Sequence, residues 1–223
     1  MQYDKWHKSV VKTIQPLSEK KLYFRVLILG LCIFAASYGY TAWNKIPGTL
    51  NKAVADTSII LIGLSMLMSS LCYFWNFVDT KIIYRKHLGL IGFAFGITHV
   101  ILSYTALLSL FKVENWKNGP LWPAFTAAIA TVIFTIMALI SNQYAARELG
   151  GRMWRGILRT GYIAMILIWF HVVLLKSGRW ITWWEGGMKT PPSMSLLVTV
   201  FITIGVLMRV AHWVSLKKNS VRR

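Results

Sequence analysis

His99 and His171 are the residues whose type and setting could do chemistry. Each lies deep in a long apolar run. Such runs rarely tolerate an imidazole, so a histidine found there marks a candidate functional site. His99 stands 13 residues beyond Lys86 and 13 before Lys112, and His171 stands 12 beyond Arg159 and eight before Arg179. At about 1.5 Å of rise per residue, both fall at matching depth, from the midplane of a bilayer into one half of it. Two imidazoles approaching iron from opposite faces make a six-coordinate heme b. Each ligating nitrogen must be unprotonated, so the other ring nitrogen needs an acceptor, expected here from a backbone carbonyl one turn back. Other readings stay open on the residues alone: packing, with the histidines hydrogen-bonded across helices, and two functional ones, a proton path and a non-heme metal. The charge-free stretches hold no Asp or Glu near the histidines. That weighs against both, since proton relays and divalent-metal sites recruit such groups.

A porphyrin needs space beside the helices. Gly92, Gly96, Ser103 and Ala106 share a helical face with His99, and Ala164 and Gly178 share one with His171. Small residues at these offsets suit a flat macrocycle and suit ordinary helix packing in lipid equally well. Trp169, the one mid-span tryptophan, is a candidate bridge to the heme edge or a packing residue. With both axial positions filled, outer-sphere electron transfer is favoured over oxygen binding at iron.

The elements that must position these residues follow from composition. Of 223 residues, 56% are hydrophobic and 14% charged. Charge-free stretches cover 26–44, 57–78, 88–111, 118–146, 160–175 and 190–208. Each can supply a spanning helix of roughly 20 residues, the fourth starting near Pro123 after the turn-forming Asn118-Gly119-Pro120. The expected fold is an all-α membrane protein, a six-transmembrane-helix bundle. The net charge of +18 follows membrane topology and argues against a nucleic-acid partner. Numbering the connections alternately puts 18 of the 25 Lys and Arg residues on the side of the two termini and seven on the other. The positive-inside rule then predicts both termini cytoplasmic, in a multi-pass protein of the plasma membrane. Tryptophans recur near both predicted interfaces, as aromatic belts do. Cys32 and Cys72 lie in different spans without a CxxC pattern, so neither a disulfide nor a thiolate metal site is expected. No cleavable signal peptide is evident, because the first apolar run begins near Leu22 and is long enough to span.

The chain divides into a basic cytoplasmic segment 1–21, the six-helix domain 22–216 and a basic tail 217–223. Tyr3, Trp6, Val10, Ile14 and Leu17 recur at helical spacing, which fits a surface helix or a solvated tail. No GxGxxG fingerprint or P-loop is found, so nucleotide-dependent chemistry is expected from a separate cytoplasmic flavin or NAD(P)H reductase. One heme leaves half of a core about 30 Å thick uncovered. A flavin, FAD or FMN, is expected to fill it, with Arg85, Lys86, Arg152 and Arg155 for its phosphate, Trp154 for its ring and His87 beside it. On the opposite side Lys176, Arg179, Trp180 and Lys189 form a basic, aromatic rim able to attract an anionic metal chelate, or an interfacial belt. A second heme would need a partner for His87 near position 158, where Leu158 stands; His212 is a remoter partner, and His7 is expected to be solvated.

At these residues the chain resembles the ferric reductase-like transmembrane family. Arg85-Lys86-His87-Leu88-Gly89-Leu90-Ile91-Gly92-Phe93, followed by His99, is similar to that family's third-span signature. Trp154-Arg155, Gly161-Tyr162 and His171 resemble its fifth-span pattern, and Trp180 with Thr190-Pro191-Pro192-Ser193 resembles the STEAP metalloreductases within it. The likeness covers roughly residues 55–215. It implies one heme b held by His99 and His171, and electron passage from a cytoplasmic flavin to an outer ferric or cupric acceptor. The function so implied is a transmembrane oxidoreductase requiring a separate donor protein. Leu158 departs from the two-heme members. The heme-binding membrane subunit of the bacterial methionine sulfoxide reductase system is the alternative resemblance. A histidine-gated proton channel without heme is the alternative of another class. A homo-oligomer is compatible with all three.

Overall fold

The computed structural model describes residues 18–106 and 121–221. Its helices are α1 (Glu19–Trp43), α2 (Thr49–Phe74), α3 (Arg85–Ala106), α4 (Leu121–Ile140), α5 (Gln143–Glu148), α6 (Gly150–Arg159), α7 (Gly161–Glu185) and α8 (Met194–Val221), with a 3-10 segment at Asn76–Tyr84. Among the described residues, six helices are long and apolar enough to cross a membrane: α1, α2, α3, α4, α7 and α8. They alternate in direction. The expected surface helix in segment 1–21 and His7 lie almost wholly outside the described residues, as do Lys112 and Lys117.

Helix α2 differs most from its sequence-based boundaries. The charge-free run begins at Thr57, but the helix begins at Thr49 and carries Lys52 and Asp56 inside it. Its start follows from the preceding turn, where Gly48 sits at φ +70, a left-handed conformation that glycine adopts without penalty. The segment 143–156, which connects the fourth and fifth long helices, is folded into α5 and the first turns of α6. Asn142 starts α5 by accepting a hydrogen bond from the Ala145 N–H at 2.8 Å, and Gly150 at φ +69 separates the two helices. The carbonyl of Ser193, just after Pro191-Pro192, accepts the first hydrogen bonds of α8.

Helix α2 is the axis of the bundle. It packs on α1, α3 and α8, while α4 packs chiefly on α7, and α8 joins the two groups. One apolar cluster unites Ile62 and Met66 of α2 with Ala130 and Phe134 of α4, Ala164 and Met165 of α7, and Val198 and Ile202 of α8. A second joins Val26, Leu61, Met68 and Leu88 across α1, α2 and α3. The outward faces expose Leu27, Leu31, Val132, Leu139, Ile163 and Leu207, an apolar surface suited to lipid. Cys32 and Cys72 are both free thiols, Cys32 on such an exposed face.

The α2–α3 contact is built from small residues. A methyl group on Gly92 would lie 2.9 Å from the Ile62 backbone nitrogen and from Leu61 Cβ, and one on Gly96 would lie 2.9 Å from Ser58 Oγ. Gly89 meets Ser65 in the same way at 3.1 Å. Ser58 Oγ donates to the Gly92 carbonyl at 2.8 Å, and Ser65 Oγ to the Arg85 carbonyl at 2.7 Å. Lipid gives apolar side chains little reason to prefer each other, so close backbone approach and interhelical hydrogen bonds hold such helices together. Gly92→Val should therefore lower the thermal stability of the solubilised protein by about 1–3 kcal/mol through overpacking. Gly39→Ala, with nothing within 4 Å of the new methyl group, should stay within about 0.5 kcal/mol of the parent in the same unfolding assay.

Candidate functional site

Both candidate histidines are half-buried and face the opening turns of antiparallel neighbours. His99 Nδ1 lies 2.7 Å from Asn51 Oδ1 and 3.3 Å from the Asn51 backbone carbonyl oxygen. His171 Nδ1 lies 2.8 Å from the carbonyl oxygen of Pro123. The two hairpins are built alike. Asn51 is the third residue of α2 and Pro123 the third of α4, and each precedes its histidine by 48 residues.

The acceptors correct the expectation of a carbonyl one turn back on the same helix. In both cases the neighbouring helix supplies it. The reason is geometric: α2 and α4 each bring a first turn beside the histidine, and the main-chain carbonyl of Pro123 and side-chain carbonyl of Asn51 lie within reach there. The chemical consequence is the one that ligation needs. A carbonyl can only accept, so in the neutral imidazole Nδ1 holds the proton and Nε2 keeps its lone pair. Two such Nε2 lone pairs are the kind of donor that would hold a heme iron. Among the described residues no group of three or more His, Cys, Asp or Glu side chains is arranged to hold a metal ion directly.

The residues expected around the macrocycle divide. Ser103 belongs to the histidine setting: its Oγ accepts from Asn51 Nδ2 at 2.9 Å and lies 3.5 Å from His99 Nδ1. Gly92 and Gly96 face α2, and Ala164 is fully buried in the apolar cluster, so helix packing accounts for their small size. Gly178 has open space where a side chain would stand. Trp169 donates to Thr203 Oγ1 at 3.1 Å and packs edge-on against Phe170, which ties it to α8.

At the rim, Lys176 and Arg179 stand on α7 one to two turns beyond His171. Trp180 Nε1 donates to Ser193 Oγ at 3.1 Å and Trp183 Nε1 to the Thr190 carbonyl at 2.7 Å, so these indoles fasten the turn between α7 and α8. Lys189 lies in that turn, beside Gly187 and Met188 at positive φ.

Residues expected at a flavin stand on α3 and α6. Lys86 pairs with Glu19 of α1 at 3.1 Å, and the Arg85 carbonyl takes the Ser65 hydroxyl of α2. Trp154 donates to the Ile140 carbonyl of α4 at 2.9 Å, Arg152 is exposed, and Arg155 folds back over Gly151. His87 is buried, with Nδ1 3.2 Å from the Ile83 carbonyl, its ring edge-on to Tyr23 and, among the described residues, no hydrogen-bond partner for Nε2. His212 stacks on Tyr73 at 4.1 Å and meets Arg209, so His87 and His212 have different surroundings.

Asn51, Pro123 and Asp56 escaped the sequence reading. Asp56 precedes the charge-free run in sequence and yet stands inside α2. It is 7% exposed and accepts a hydrogen bond from Ser37 Oγ of α1 at 2.8 Å. That contact is the one polar bond to its carboxyl group among the described residues, and it points to α1 whereas Asn51 faces α3. The available signal was Gly48, which marks a helix start ahead of the charge-free run. Ser37→Ala should destabilise the protein by about 1–3 kcal/mol by leaving a buried acceptor unsatisfied. Ser37→Ala combined with Asp56→Leu should recover part of that loss in a thermal unfolding series.

No family model matches the chain. It is 26% identical over 179 residues to the protein-methionine-sulfoxide reductase heme-binding subunit MsrQ of Agrobacterium fabrum, covering 76% of this chain and 78% of that protein. It is 34% identical over 97 residues to the subunit of the same name from Azospira oryzae, covering 41% of this chain and 40% of that protein. These relatives bear the name of the alternative resemblance, and neither is described as a metalloreductase.

Proposed function

We propose that this chain is the heme-binding membrane subunit of a system that reduces methionine sulfoxide in proteins. The observation that carries this reading is that each imidazole sets Nδ1 against a carbonyl oxygen, an arrangement that favours a proton on Nδ1 and leaves Nε2 as a base. The description of the two relatives as heme-binding subunits supports it and favours it over reduction of metal chelates.

When bound, a heme supplies a one-electron couple inside the bilayer. The chain's own residues do the rest. His99 and His171 would hold the group from two hairpins, Asn51 and Pro123 offer the carbonyls that face their Nδ1 atoms, and Ser103 orients the Asn51 amide. Lys176, little more than one turn beyond His171 on α7, would add positive charge on that side, which favours a reduced, more negative centre. Electrons enter from the opposite, more basic side, which the distribution of 18 of 25 Lys and Arg residues assigns to the cytoplasm. About 21 Å of helix separates Arg85 from His99, so a flavin-bearing donor must reach into that side. A catalytic partner takes the electrons on the histidine side.

The purified protein should show a reduced b-type absorption band that is lost in His99→Ala and in His171→Ala. A colourless protein from a heme-replete host defeats the reading. The heme-to-protein ratio should be one. A ratio near two defeats the single-site assignment and points to His87, whose Nε2 is unpartnered. In cells, His99→Ala should abolish membrane-dependent reduction of protein-bound methionine sulfoxide and leave ferric-chelate reduction unchanged. The reverse pattern defeats the choice of acceptor.

A further inference from the structure

The two ligands in the proposed site differ in one respect that the relatives' description does not address. His171 leans on a main-chain oxygen, the Pro123 carbonyl, which also accepts from Thr126 Oγ1 at 2.9 Å. His99 leans on a side chain. Asn51 Oδ1 sits 2.7 Å from Nδ1, and the other end of the same amide donates to Ser103 Oγ at 2.9 Å. That hydroxyl comes from His99's own helix, one turn along, so α3 supplies both the ligand and the group that orients its acceptor.

We infer that Asn51 is a positioning residue that sets the basicity of His99, makes the two axial ligands inequivalent and thereby tunes the midpoint potential of the heme. This rests on the heme reading above. The physical link is direct. A carbonyl that takes the Nδ1 proton pulls electron density onto the ring, and the ligating Nε2 becomes the better donor. A better donor stabilises the ferric state and lowers the potential. Oxygen at 2.7 Å is a short, strong acceptor for an N–H group. The amide cannot turn over without setting its NH2 group against the Nδ1 proton. The Asn51 main-chain oxygen at 3.3 Å still keeps the proton on Nδ1 when the side chain is changed. Substitution at Asn51 therefore alters the strength of the acceptor without changing which nitrogen binds iron.

Redox titration of the full-length, detergent-solubilised protein tests this. Asn51→Leu removes the side-chain acceptor and should raise the reduced-to-oxidised ratio at fixed ambient potential about tenfold, a shift of about 59 mV for a one-electron couple. Asn51→Asp places a stronger, charged acceptor there and should shift the ratio in the opposite direction. Asn51→Gln keeps an amide and should lie nearer the wild type than either. All should retain a low-spin, bis-imidazole spectrum in the heme-bound fraction. Unchanged potentials across the three variants overturn the inference, and so does a variant that binds less heme but titrates like the wild type. Absence of heme from the wild-type protein defeats the underlying reading instead.

Discussion

The close approach of α2 and α3 is the constraint on which the rest depends. Gly89, Gly92 and Gly96 let the two backbones meet, and Ser65, Leu61, Ile62 and Ser58 fill the opposite side. Each step along α3 is matched by an equal step back along α2, so the register that sets Gly92 against Ile62 also sets Ser103 against Asn51. His99, one turn before Ser103, meets the same amide. A helix pair sliding by one turn would lose the glycine contacts and the histidine's acceptor together. The seam thus converts small-residue packing in lipid, a weak and general force, into a fixed position for one polar side chain.

The second hairpin reaches the same result by different means. Helices α4 and α7 pack through Ala130, Phe134, Ala164 and Met165, and the first turn of α4 offers a main-chain carbonyl to His171. The carbonyl of Pro123 serves without any side chain, whereas at α2 the Asn51 amide adds a nearer acceptor to its main-chain carbonyl. Helix α8 then draws the hairpins together, with Val198 and Ile202 in the shared core and Trp169 bonded to Thr203. Residues that lead toward iron in a sequence pattern are thus divided in the fold between those that set the histidines and those that set the helices.

Much of this was legible in the sequence and some was not, for identifiable reasons. The apolar runs marked all six long helices, because a helix in lipid must be uniformly apolar over about 20 residues. The same rule misplaced the start of α2, since Lys52 and Asp56 interrupt a charge-free run without interrupting a helix. Lys52 returns to the Pro47 carbonyl and Asp56 to Ser37, so both charges find polar company at the helix end. The glycines beside His99 were read evenly as cofactor space or helix contact. Their spacing cannot decide, because a macrocycle and a neighbouring helix make the same demand for small size.

The sequence by itself determined that this protein has six apolar helices, a charge asymmetry across them and two histidines deep in lipid-facing runs. These are one-dimensional properties: hydrophobic length, the placement of Lys and Arg, and the cost of an imidazole in hydrocarbon. Only the tertiary structure decided which groups hold the two Nδ1 protons. Asn51 and Pro123 stand 48 residues from their histidines, on helices running the other way, and nothing in their local sequence distinguishes them. Hydrogen bonds of that kind depend on the register of packed helices, and register is a property of two surfaces meeting.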